Sequence, residues 1–193
     1  MRLFIAIFPP KEIINLFNDI QDKLKGFGKF LRFTKAEDIH ITLRFLGNNV
    51  SNKSKDKILH IWDNLFIDTK KFNIRLQSIN YGFENERWPR ILYISAFRNE
   101  YLDKMIKKLN EEFCKLGLDD IMVEKNYLSF TYHFTIARSR KNLTKQIVYD
   151  IKKEIKRYNL WEGFHVDNVF LVKSILTKEG PKFSILRKSE LKD

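Results

Sequence analysis

Two short segments carry the residues best suited to chemistry: Ile39-His40-Ile41-Thr42-Leu43-Arg44-Phe45 early in the chain and Tyr132-His133-Phe134-Thr135-Ile136-Ala137-Arg138 late in it. Each writes a histidine, an apolar residue, a threonine and a second apolar residue. Residues two apart on a strand share a face, so His40 and Thr42 project together, as do His133 and Thr135, while the residues between them face a core. An imidazole with an ordinary pKa of about 6.5 accepts a proton when neutral and gives one up when charged. Two of them across a cleft supply a base and an acid at once. In-line displacement at phosphorus needs this pair, because the attacking oxygen loses a proton while the leaving oxygen gains one. The two threonine hydroxyls can hydrogen-bond the non-bridging oxygens, where negative charge sits, and this mechanism requires no metal and no other cofactor.

Other chemistries find less in the sequence. A zinc site needs three or four nitrogen, sulfur or carboxylate ligands, and only Asp38 accompanies His40 on its expected face. Neither a G-x-S-x-G elbow nor a G-x-x-x-x-G-K-[ST] phosphate loop occurs. His60 and His165 lack a matching threonine and a counterpart in the other half, so they read as structural or exposed. Trp88 and Trp161 read as core or rim packing, and Cys114 as a small apolar residue on a helix. A single cysteine excludes an internal disulfide.

Periodicity places strands at Leu3 to Phe8, Lys29 to Phe33, Ile39 to Leu46, Phe72 to Phe83, Ile91 to Phe97, Tyr127 to Ala137, Phe164 to Ser174 and Lys182 to Leu186. Helices fill the gaps: one opened by Pro9-Pro10, then Ser51 to Leu65, Glu100 to Leu116 and Asn142 to Tyr158. The order strand, helix, motif strand, helix, strand therefore occurs twice, over approximate halves 1–84 and 90–186 of one bilobal domain spanning residues 1–193. Two similar lobes about an approximate twofold axis would set His40 and His133 on facing sides of one groove.

The chain has 193 residues, 44% of them hydrophobic, enough for a real core. Lys plus Arg number 36 against 24 acidic residues, a net charge of +12 that favours a polyanionic partner, nucleic acid above membrane. No apolar run approaches the roughly 20 residues needed to cross a bilayer, and Met1 to Pro10 reads as a first strand rather than a secretory leader, so a cytoplasmic protein is expected.

The paired motifs, His40-Ile41-Thr42-Leu43 before Arg44-Phe45-Leu46-Gly47 and His133-Phe134-Thr135-Ile136 before Ala137-Arg138, resemble those of the two-histidine phosphoesterases. Within that superfamily the chain is most similar to the RNA 2′,3′-cyclic phosphodiesterases, first described as 2′-5′ RNA ligases. Arg2-Leu3-Phe4-Ile5-Ala6-Ile7, Trp88-Pro89-Arg90-Ile91-Leu92-Tyr93 and Asn168-Val169-Phe170-Leu171-Val172 extend the likeness over nearly the whole length. It implies an α+β fold of two pseudo-symmetric lobes, each an antiparallel sheet with helices on its outer face, and a central groove lined by the motif strands. It further implies opening of a terminal 2′,3′-cyclic phosphate of RNA, tRNA fragments among the candidates, by a monomeric enzyme. By that analogy His133 is the base, His40 the acid, Thr42 and Thr135 hold the phosphate, and Phe45 and Arg138 contact the terminal nucleotide. Ligation by the reverse reaction, or RNA binding without turnover, are the competing readings. Members of that family commonly carry a proline just before the second histidine, where this chain has Tyr132. Phe45 lies an odd number of residues from His40, so an ideal strand would turn it to the core, and only a bulge or strand end would bring it to the groove.

Overall fold

The computed structural model describes residues 1–83, 88–122, 131–158, 160–177 and 180–193. Its strands are β1 (Arg2–Ile7), β2 (Leu31–Phe33), β3 (Ile41–Gly47), β4 (Phe72–Tyr81), β5 (Ile91–Ala96), β6 (His133–Ser139), β7 (Gly163–Val166), β8 (Asn168–Thr177) and β9 (Gly180–Glu190). Between them lie α1 (Lys11–Lys23), α2 (Asn52–Phe66), α3 (Glu100–Lys115) and α4 (Lys145–Ile155).

The helices begin where their capping residues dictate. Pro10, which has no N–H to lose, precedes α1; the Ser51 side chain accepts the Ser54 amide at the start of α2; and Asn99 accepts the amides of Tyr101 and Leu102 at the start of α3. Gly117, at φ +56°, follows α3 in a conformation that a Cβ would strain. Helix α4 is shorter than periodicity predicts because Thr144 caps it by accepting the Ile147 amide, which leaves Asn142 and Leu143 in the preceding loop.

The strands form two antiparallel sheets, ordered β3-β1-β8-β9 and β2-β6-β5-β4-β7. Helices α2 and α3 pack on the first sheet and α1 and α4 on the second, over a shared core that includes Ile5, Phe17, Trp62, Ile94 and Phe134. Strands β3 and β6 run side by side where the sheets meet. The two sheets are not the two sequence halves. Strand β4, from the first half, pairs with β5, and β8, from the second half, pairs with β1, so each sheet holds strands of both. This exchange also explains why the single strand expected over Phe164 to Ser174 is two: β7 joins β4 in one sheet and β8 joins β1 in the other. Of the strand expected over Tyr127 to Ala137, residues 127–130 lie outside the described residues, and β6 begins at His133. Among the described residues no helix is long and apolar enough to cross a membrane.

Candidate active site

At the junction of the sheets a cavity of about 350 Å³ is lined by His40, Thr42, His133, Thr135 and Arg138. His133 opens β6, whereas His40 stands one residue before β3, on the extended link from a 3-10 turn at Ala36–Asp38, rather than inside the strand as its alternation suggested. The two rings are nonetheless held alike. His40 Nδ1 lies 2.7 Å from the carbonyl oxygen of Asp38, and His133 Nδ1 lies 2.7 Å from that of Thr131, each two residues upstream. A carbonyl only accepts, so Nδ1 is the protonated nitrogen in both rings, and Nε2 is left with the lone pair when the ring is neutral.

Matching bulges shape the strand downstream of each histidine. Ala6 pairs with Thr42 but Ile5 with Arg44, and Tyr93 pairs with Thr135 but Leu92 with Ala137; the extra residues are Leu43 and Ile136, each immediately after a motif threonine. The bulge turns Phe45 and Arg138, equivalent positions in the two motifs, to the groove side of their sheets. Arg138 reaches the cavity wall. Phe45 does not: it packs beside Phe4, Ala6 and Val172, and the Arg2 guanidinium lies 4.5 Å from its ring centre. Arg44 is buried and donates from Nη2 to the carbonyl of Met122 at 2.7 Å.

The lobes differ in their lining. His40 stacks on Phe4 at 4.8 Å between ring centres and meets Phe8 and the edge of Phe183 at 5.5 and 5.3 Å. His133 has Phe83 and Tyr93 edge-on at 5.2 and 5.4 Å, but Ser95 lies directly opposite it in the ladder, joined to Ser78 and Asn80 by hydrogen bonds of 2.9 and 3.2 Å. Burial among rings pushes the His40 pKa down to about 4 against the opposing pull of the Asp38 carbonyl, with the positive fields of His133 and Arg138 adding to the depression. Burial, and then Arg138, lower His133 as well. Both shifts favour the neutral imidazole in the free protein, so a charged partner for the neutral ring has to form as an anion enters the cavity.

Tyr132 is a core residue: its hydroxyl donates to Asp103 and its carbonyl accepts the Ala96 amide at 2.8 Å, which anchors the backbone entering His133. His60 and His165 are exposed on α2 and β7, and neither lines the cavity. Trp88 and Trp161 are 52% and 80% exposed and so stand outside the core, and Cys114 is an exposed residue of α3. Among the described residues no three His, Cys, Asp or Glu side chains converge on a common point. Sequence reasoning missed the aromatic walls and the two carbonyl acceptors; the latter share a two-residue offset from each histidine, a signal visible only once the rings are seen to turn back on their own backbone.

A model of the AKAP7 2′5′ RNA ligase-like domain matches residues 4–177. The RNA 2′,3′-cyclic phosphodiesterase of Methanocaldococcus jannaschii is 28% identical over 187 residues, 97% of this chain and 99% of that protein, and that of Thermus thermophilus is 27% identical over 197 residues, 100% of this chain and 91% of that protein. Among solved structures, TT0787 of Thermus thermophilus superposes with a TM-score of 0.80 at 24% identity, covering 99% of this chain and 98% of that one. Escherichia coli LigT complexed with 3′-AMP gives 0.72 at 20% identity, covering 100% and 98%. These likenesses establish the fold, two antiparallel sheets flanked by helices. With duplicated histidine and threonine motifs on one cavity and a family match over most of its length, the chain belongs to the 2′-5′ RNA ligase-like family of two-histidine phosphoesterases.

Proposed function

We propose that this chain hydrolyses the terminal 2′,3′-cyclic phosphate of RNA to a 2′-phosphate, working as one unit across both lobes. One observation carries the reading: two imidazoles, each tied through Nδ1 to its own backbone, line a single cavity with two threonines whose hydroxyls are engaged by no protein group among the described residues. Relatives named RNA 2′,3′-cyclic phosphodiesterase support the reaction class. Neutral Nε2 of His133 takes a proton from water as the oxygen attacks phosphorus; the P–O3′ bond breaks in line, and the 3′ oxygen takes its proton from Nε2–H of His40. Thr42 and Thr135 donate to the non-bridging oxygens. The different linings support this division of labour. The hydroxyl-bearing ladder beside His133 suits a site that holds water, and the aromatic box around His40 destabilises its charged form, which makes it a strong acid once the arriving phosphate has drawn a proton onto it.

The test is turnover of an oligonucleotide with a 2′,3′-cyclic phosphate end in the presence of EDTA. Product ending in a 2′-phosphate is expected, with kcat reduced roughly 10²–10⁴-fold in His40→Ala and in His133→Ala. Full activity in both variants would refute the assignment.

A further inference from the structure

The cavity wall carries more positive charge than this reaction uses. Arg32 of β2 lies directly opposite Arg138 of β6 in the antiparallel ladder. Like charges so placed destabilise a sheet. Burial lowers the Arg138 pKa, and the neighbouring Arg32 and Arg2 guanidinium groups lower it further. Lys35 and Lys182 line the same cavity, where Asp38 is the one carboxylate among the described residues. Elsewhere arginines are matched, as Arg98 is with Asp103, Arg157 with Glu154 and Arg187 with Asp63; among the described residues Arg32, Arg138 and Lys182 have no such partner. Arg32 and Lys182 also stand on the edge strands of the two sheets, β2 and β9. Arg32 reaches across to the β8–β9 hairpin: its Nη1 lies 3.8 Å from where a Cβ on Gly180 would be.

We infer that Arg32, with Lys182 and the outer side of Arg138, forms a second phosphate subsite, for the phosphodiester on the 5′ side of the terminal nucleotide. The inference rests on the hydrolase reading for its orientation. A cavity of about 350 Å³ takes about one nucleotide, so the next phosphate leaves through the mouth that these edge strands flank. A guanidinium pair on the cavity wall, with no ion-pair partner among the described residues, suits one anionic phosphodiester and carries no base preference. The substrate class is then an oligonucleotide of at least two residues, rather than a free cyclic mononucleotide.

The test reads binding, by calorimetry on the full chain carrying His133→Ala, of adenosine 2′,3′-cyclic phosphate, of ApA ending in a 2′,3′-cyclic phosphate, and of the same ApA with an uncharged methylphosphonate link. The charged dinucleotide is expected to bind roughly 10- to 100-fold tighter than the mononucleotide, with a salt slope steeper by about 0.7, and the methylphosphonate to fall back to the mononucleotide level. Adding Arg32→Gln should abolish the advantage and Arg32→Lys retain part of it. Equal affinity for the two charged ligands overturns the subsite; so does an advantage that survives in the methylphosphonate, which would make it base stacking, or in Arg32→Gln. Failure of the wild-type chain to turn over either cyclic ligand would remove the hydrolase reading, while the affinity comparison would still decide the subsite.

Discussion

In the proposed reaction a histidine is useful only if its proton moves at the right moment, and solvation sets how strongly each ring holds that proton. Burial holds His40 near pKa 4 and His133 below its ordinary value, so the folded chain binds these protons more weakly than the unfolded chain. Stability from His40 is therefore fully present above about pH 6.5 and is lost as pH falls towards about 4. A bound dianion reverses the imbalance by favouring the imidazolium. Burial, and then Glu37, hold the Asp38 carboxyl above the usual carboxylate range. Sulfate, which keeps its double charge throughout, should therefore raise Tm more at about pH 6 than at about pH 8, and His40→Asn should flatten the difference. Equal shifts at the two pH values would contradict proton uptake with the anion.

At the scale of elements, the hairpin of β8 and β9 brings an aromatic edge to His40, whereas β4 and β5 bring the serine hydroxyls of Ser78 and Ser95 to the side of His133. Phe183 comes from β9, a strand longer than the five residues expected over Lys182 to Leu186, and it closes the aromatic box against Phe4 and Phe8. Phe183→Ala should admit water and raise the His40 pKa by about 1 unit or more, followed as the titration of its ring protons by NMR. An unchanged midpoint would assign the depression to Phe4 and Phe8 alone. The bulges after Thr42 and Thr135 are the second device at this scale: by slipping one residue each they convert an odd spacing into a shared face and bring Arg138 to the cavity.

Across the whole molecule, exchange of β4 and β8 ties the halves together. A fragment of residues 1–89 would leave β1 without β8 and β4 without β5, exposing two sheet edges and half of the common core. It should show no cooperative thermal transition by circular dichroism, while mixing it with residues 90–193 should restore one. A sharp transition in the isolated fragment would show that the first half folds unaided. The same exchange supports treating the groove as rigid, since β6 pairs with β2 of the first half and β5 of the second, and β3 pairs with β1, which pairs in turn with β8.

The amino-acid order by itself pointed to the candidate site and most of the elements, because a repeated histidine and threonine at strand spacing, and apolar residues at helical or alternating spacing, are local signals. The repeated motif located His40, Thr42, His133 and Thr135, and the family resemblance added Arg138; all five line one cavity. Phe45 was legible only conditionally: a bulge does turn it to the groove side, but Arg2 covers its ring and it stays off the cavity wall. The tertiary structure alone decided which strands share a sheet, since pairing partners distant in sequence leave no trace in local periodicity. It alone made the two half-sites unequal as well. Nearly identical motifs become one imidazole boxed by three phenylalanines and one set between two aromatic rings and a serine, because solvation is set by what other strands bring to the ring, and a pKa depends on that neighbourhood rather than on the four residues of the motif.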